Sequence, residues 1–394
     1  MNTSPISRDR FTWLAYLMLG CYSYLLNGMG PIIPFLRAEL KMSYTLSSLH
    51  SSAFAVGMLI AGVLAARYIK RFGRRAVFWW AAFGMSGSAL LFILVPHPAF
   101  TIISALLIGT IGSFLLVIIP GTLSERYGNL RAVALSEANV VASITGACAP
   151  VIVSLFVKLH LGWRGALIAM LFMVALLWMM FKNARFPETA IASKEHSSER
   201  RKLPRVYWAW WVILVLGVAV EFCIIFWCAT FLEVERGLPR TTAAFSVSVF
   251  LAAMVVGRLG GSMVSHRFSS VQIILGSALL SLIGFMAHWE SHALLPSLFG
   301  LFLAGVGVAN LYPQLLSLVV GSGGALIDLA SARASLASGT AILSLPLLLG
   351  ALADFFGLGR AYGIVIALLV LVAGGTLAIH WMTPIKKVMP IVFE

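Results

Sequence analysis

Apolar residues run in stretches of about twenty along most of the chain, each closed by a short polar or Gly/Pro interruption. A helix needs ~20 predominantly apolar residues to cross a bilayer. The pattern therefore predicts an all-α membrane protein with twelve transmembrane helices, over 11–36, 45–68, 76–95, 99–122, 132–157, 163–182, 207–232, 242–265, 271–289, 295–319, 332–353 and 361–383. The first run, from Phe11, is long and is followed at once by others, so it reads as a span and not as a removable leader. One stretch breaks the rhythm. Lys182 to Arg205 holds seven Lys/Arg and three Glu in 24 residues, which makes 182–206 a solvated connector between halves 1–181 and 207–394.

Composition supports this division. With 60% hydrophobic and 11% charged residues the chain has too little polar surface to cover a soluble globule. A net charge of +14 would suit a nucleic-acid partner, but the basic residues sit in loops between spans, so the partner they indicate is the lipid bilayer. Twenty of the 28 Lys and Arg fall on the side that carries both termini, including the run at 70–75, the connector and Lys386–Lys387; seven fall on the other side, and Arg258 lies within a span. The positive-inside rule then places both termini in the cytoplasm, with the protein multi-pass in the cell membrane. The four cysteines, Cys21, Cys148, Cys223 and Cys228, lie within apolar runs and are expected as free thiols packed as small hydrophobes.

A shift of 196 residues lays the second half on the first. Phe35–Leu36 falls on Phe231–Leu232, Arg71–Phe72 on Arg267–Phe268, Gly109 on Gly305, Pro150 on Pro346 and Arg164 on Arg360. Matches at Arg and Pro under one unbroken offset mean two pseudo-symmetric six-helix halves, the plan of parallel-repeat membrane carriers.

At this point the residues resemble a family. The loop after the second helix ends Arg71-Phe72-Gly73-Arg74-Arg75, similar to the signature loop of the major facilitator superfamily, usually Gly-x-x-x-Asp-Arg-x-Gly-x-Arg-Arg. It departs from it by one residue fewer between the Gly and the last Arg, with Lys70 at the Asp position and Ala66 at the leading Gly. The carboxylate that helps latch the two halves in that family is therefore missing from this loop. Gly162-Trp163-Arg164, Phe186-Pro187-Glu188-Thr189 and the run from Pro346 to Asp354 carry further likeness. Helix 7, with Glu221, Trp227 and Phe231–Leu232, and residues 305–313 of helix 10 are similar to the fucose-permease and related uncharacterised branches. The resemblance implies a secondary transporter working by alternating access, driven by the proton gradient as a symporter, acting as a monomer and needing no cofactor.

A charge deep in a span costs at least ~2.5–3.5 kcal/mol on insertion scales, so each one needs a partner or an aqueous cavity. Arg258 lies about nine residues, roughly 13 Å, from the inner end of helix 8. Gly261, Ser262 and Ser265 follow on its face towards that end, and Leu251, Met254 and Val255 precede it. Two readings fit: a cation that binds an anion or gates, or one arm of a buried salt bridge. Glu221 in helix 7 lies a little past the midplane, where desolvation penalises its charge and a nearby Arg would favour it. It is the proton-coupling candidate, against a static partner of Arg258. Glu137 follows Arg131 at the inner end of helix 5. It is either a latch onto His266–Arg267 in the outward-facing state, with Gly73, Arg71, Arg74 and Arg75 in the neighbouring loop, or a charge reaching water.

Polar stripes mark the remaining candidates. Gly307, Asn310, Gln314 and Ser317 share a face of helix 10; Ser136, Asn139, Ser143 and Gly146 share a face of helix 5. Helix 1 adds Tyr24 and Asn27. Such groups hydrogen-bond neighbouring helices or line a substrate path. For Asn310 and Gln314 the path is preferred, because Tyr312–Pro313 is expected to break the helix and release carbonyls. Trp227 is a stacking platform or an interfacial anchor. His50, His97, His160, His288 and His292 fall at outer ends or loops, with no metal-ligand spacing and so no metal. With no Gly-Lys-Ser/Thr phosphate loop and no catalytic constellation, an enzyme is rejected. The expected solute is small, polar and organic, either anionic and drawn by Arg258 or sugar-like and held by the amides. Efflux of apolar cations and a non-transporting sensor are the alternatives.

Overall fold

The computed structural model describes residues 8–187, 203–265 and 267–382. Most of the connector, His266 and Lys386–Lys387 lie outside the described residues. Twelve long helices follow one another among them: α1 Arg10–Leu40, α2 Tyr44–Phe72, α3 Arg74–Leu94, α4 Pro98–Tyr127, α5 Arg131–Lys158, α6 Gly162–Phe181, α7 Arg205–Val234, α8 Arg240–Val264, α9 Ser270–Glu290, α10 Leu294–Gly321, α11 Ile327–Phe356 and α12 Leu358–Met382. Helix α4 is interrupted at Ser113 and α12 at Gly363. The expected spans agree with these helices to within a few residues at most ends. Eleven of the helices are long and apolar enough to cross a membrane. The exception, α1, has length enough, but Tyr16, Tyr22, Ser23, Tyr24 and Asn27 lower its hydropathy, and most of it is buried inside the bundle.

The repeat is visible in detail. A 3-10 turn, Gly128–Leu130, leads into α5, and Gly324–Leu326 leads into α11, at the same offset of 196 residues seen between Gly109 and Gly305. Both turns open on a glycine in the left-handed region, φ 49° and 56°, which a side chain would strain. Gly109 of α4 packs on the carbonyl of Phe54 in α2, and Gly305 of α10 packs on the carbonyl of Phe250 in α8, again at equivalent positions. Any Cβ there would overlap the facing backbone, so these glycines fix how closely the paired helices cross. Around the outside, Trp80, Phe172, Leu279 and Trp381 are among the many large apolar side chains left exposed, as a lipid-facing surface requires.

The halves meet firmly at the end of the bundle remote from the chain termini. The Asp354 carboxylate on α11 accepts the backbone N–H groups of Tyr44 and Thr45, both at 2.8 Å, and so caps α2 across the divide. Ser52 Oγ donates to Leu343 O at 2.7 Å, and Ser154 Oγ to Thr241 O at 2.8 Å. Gly30 of α1 lies flat on the backbone of Ile225 and Phe226. This distal end is closed.

Candidate functional site

Two helices of the second half bring the expected charges together. Arg258 Nη2 on α8 lies 4.0 Å from Glu221 Oε1 on α7, and Arg258 Nη1 donates to Ser143 Oγ on α5, in the other half, at 2.8 Å. The first contact is an ion pair too long for a hydrogen bond. The Arg258 side chain is 45% exposed and that of Glu221 only 16%, so the guanidinium stands in the open with the carboxylate behind it. A guanidinium has five donors, and these two contacts occupy few of them.

A cavity of about 440 Å³ extends from Arg258 to Ser265, bounded by Asn139 of α5 and by Asn310, Tyr312, Pro313 and Gln314 of α10. Its walls therefore come from both halves. Asn310 has a second task. Its Nδ2 donates to Gly257 O on α8 at 3.1 Å and its Oδ1 presses on Gly261, where a Cβ would overlap it. The amide thus ties α10 to α8 and shows the cavity only an edge. The helix does not break at Tyr312–Pro313 as expected: α10 runs unbroken from Leu294 to Gly321 with Pro313 inside it. The proline removes a single N–H donor, a defect that the turns on either side bridge.

The other expected path residues stand away from this cavity. Asn27 folds back to donate to Ser23 O at 2.9 Å and packs on Gly146. Tyr24 Oη donates to Ala166 O at 3.0 Å and borders a separate crevice of about 200 Å³ between α1, α5 and α6. Trp227 is neither an exposed platform nor an interfacial anchor. It is fully buried, donates to Pro346 O at 3.1 Å, and has its ring 5.9 Å from that of Tyr44 in the distal closure. His50 and His288 lie near the outer ends of α2 and α9, as expected, and are fully buried against Thr101 and Ser297. Of the cysteines, Cys148 is exposed and only the other three are buried. Among the described residues no group of three or more His, Cys, Asp or Glu is placed to hold a metal ion.

At the end carrying the termini, Glu137 is held within its own half, accepting from Arg8 at 2.9 and 2.5 Å and from Tyr16 Oη at 3.0 Å. Arg267 is exposed just beyond α8. Arg74 forms a two-bonded pair with Glu125 of α4, each bond 2.6 Å, and Arg75 donates to Lys182 O at 2.5 Å. Gly73 turns between α2 and α3 at φ 81°, and the Arg71 guanidinium lies 5.1 Å from the Phe72 ring. Sequence reasoning missed Glu125 and Arg8, which supply partners within the first half. It also passed over Asp354 as a cap, although its signal was present: a lone carboxylate near the end of a span.

A bundle of two six-helix repeats, closed at one end and lined at their junction by an open cation, is the architecture of a membrane carrier. A sequence profile of the Major Facilitator Superfamily matches residues 12–325, and the chain belongs to that superfamily. It is 25% identical over 382 residues to an uncharacterised MFS-type transporter of Yersinia pestis, covering 95% of this chain and 96% of the relative. Its fold is similar to that of a mutant nucleoside transporter NupG, with a TM-score of 0.79 at 12% identity, covering 94% of this chain and 98% of that one. It is also similar to a bacterial homologue of the human lysosomal transporter Spinster in an inward-facing, occupied conformation, at 0.76 and 13% over 96% and 98%, and to a D-xylose–proton symporter, at 0.72 and 16% over 93% and 96%. The protein is a multi-pass membrane transporter, not an enzyme.

Proposed function

We propose that this transporter carries a small organic anion by alternating access, with Arg258 as the anion-binding group and Glu221 coupling the movement to protons. The observation that carries the reading is the half-open guanidinium in a cavity shared by both halves, with a loosely held carboxylate as its nearest countercharge. Such a cation attracts a carboxylate or phosphate and can bind it with two parallel hydrogen bonds. A sugar-like solute fits less well, because Asn310 spends its amide on Gly257 and leaves Asn139 and Gln314 as the free amides of the cavity. Efflux of apolar cations fits least, since an exposed guanidinium repels them.

On the positive-inside bias the end with the termini is read as cytoplasmic, so the closed distal end faces outwards. An anion arriving at Arg258 competes with Glu221 for it. Protonation of Glu221 removes that competitor, and the two events then favour each other, which is the linkage symport requires. Thermal stabilisation of the purified transporter by organic acids, sugars and quaternary amines tests the substrate class. Stabilisation by acids that disappears in Arg258→Ala is expected; stabilisation by sugars or amines alone would overturn the reading.

A further inference from the structure

On the far side of the α8–α10 contact from the cavity lies a groove of about 460 Å³. Val256, Gly260 and Val264 of α8 form one wall, and Ile273, Gly276 and Leu280 of α9 the other, with Val306 of α10 at its floor. It faces the apolar exterior, where Val256 and Val264 are exposed. Along α9 it runs from Gln272 to Leu280, about 12 Å at ~1.5 Å per residue. Of its three polar side chains, Gln272 is engaged in the capping box with Ser269, Asn310 donates to Gly257, and Ser277 is buried. The groove therefore offers a polar solute little and an alkyl chain a dry wall.

Groove and cavity are neighbours. Gly261 and Asn310 border both. The three atoms nearest to a Cβ built on Gly261 all belong to the Asn310 amide, so this one side chain fills the seam between the two spaces. Beside it, Gly260 would meet nothing within 4 Å. The Asn310 amide, which donates to Gly257 O at 3.1 Å and reaches Val306 O at 3.5 Å, is the partition between the two spaces. Arg258 lies on the cavity side of the same helix turn whose other side lines the groove.

We propose that the transported anion is amphipathic, its charged head on Arg258 in the cavity and its apolar tail passing beside Asn310 into the groove between α8 and α9. The inference rests on the anion reading of the cavity. A bilayer phospholipid tail is the competing occupant of any membrane-facing groove, and it has no reason to depend on Arg258.

The test uses the full-length transporter in lipid nanodiscs and dodecanoate bearing a photoreactive diazirine at its methyl end, with butanoate as the short acid. Saturable labelling confined to α8 and α9 around the groove is expected, with loss of that label in Arg258→Ala and on competition by butanoate. Gly276→Trp fills the groove at a position where a Cβ meets nothing within 4 Å. It should remove the groove label while butanoate binding stays at the wild-type level. Label spread over all lipid-facing helices and unchanged by Arg258→Ala would identify a bulk lipid groove and overturn the proposal. If butanoate still bound in an Arg258-dependent way, the anion reading would survive that result. If no acid bound, both would fall.

Discussion

The two halves share a scaffold and divide the chemistry. Under the 196-residue offset the glycines that set helix crossings and the 3-10 turns before α5 and α11 coincide. The candidate site side chains do not. Where the second half has Glu221, Arg258 and Asn310, the first has Leu25, Gly62 and Phe114. The first half keeps its ion pairs near its ends: Arg8–Glu137, Asp9–Arg126 and Arg74–Glu125 at one, Arg164–Glu39 at the other. Even the mates of that last pair differ, since Glu235 accepts the Gly359 N–H at 2.9 Å. Charge at the ends costs little and stiffens a bundle. Charge in the middle is expensive and is kept where something uses it. The first half thus reads as the clamp and the second as the ligand-bearing half.

Removing the central charge breaks this division most severely. Arg258→Ala should lower transport at least roughly 10- to 100-fold, the loss of even one charge-assisted hydrogen bond of ~1.5–3 kcal/mol, with membrane insertion intact. Uptake at the wild-type rate would end the assignment. Arg258→Lys should recover only part of the affinity, because it keeps the charge but not the planar fork; full recovery would exclude two-bonded recognition. Glu221→Gln comes next. With the carboxylate permanently neutral, solute exchange across proteoliposomes should persist while concentrative, pH-driven uptake disappears. Concentrative uptake surviving in this variant would reduce Glu221 to a packing partner.

How much of this was legible in the sequence follows from what each feature depends on. The helices depend on apolar length, and the repeat on Arg, Pro and Gly that cannot drift freely; both were readable. That Arg258 and Glu221 sit inside spans was also readable, because each interrupts a long apolar run. Side-chain direction was not. Tyr24, Asn27 and Trp227 lie within spans, as the cavity residues do, but turn into helix contacts. A stripe of amides looks the same whether it meets water or a neighbouring glycine, as Asn310 on Gly261 demonstrates. Partners far apart in sequence, such as Arg8 with Glu137, are set by packing and leave no local signature.

A smaller effect is expected at the distal closure, where the halves depend on each other. Asp354→Asn keeps the shape but removes the charge that caps α2 through Tyr44 and Thr45. A carboxylate at an exposed helix N-terminus is worth ~0.3–1 kcal/mol. The population open at the distal end should therefore rise about twofold to fivefold, read as faster modification of a cysteine placed at Ser48. An unchanged rate would mean that the closure rests on apolar packing alone.

The smallest effect is expected at the opposite end, where the clamp would have to change partners. Glu137 is paired at home with Arg8 and Tyr16 in the conformation described. If it latches onto Arg267 when that end closes, the two arginines compete for one carboxylate, and exposed pairs of this kind differ by little. Glu137→Gln should then favour the state open at the terminal end, and Arg8→Gln, by releasing Glu137 to Arg267, should favour the closed one. Each shift should be no more than about fivefold, read as opposite changes in the labelling of a vestibule cysteine at Ser265. The opposed signs separate a latch from simple loss of an ion pair, because loss of the pair alone would move both variants the same way. Equal shifts in one direction would leave Glu137 as a charge that braces the first half and takes no part in closing it.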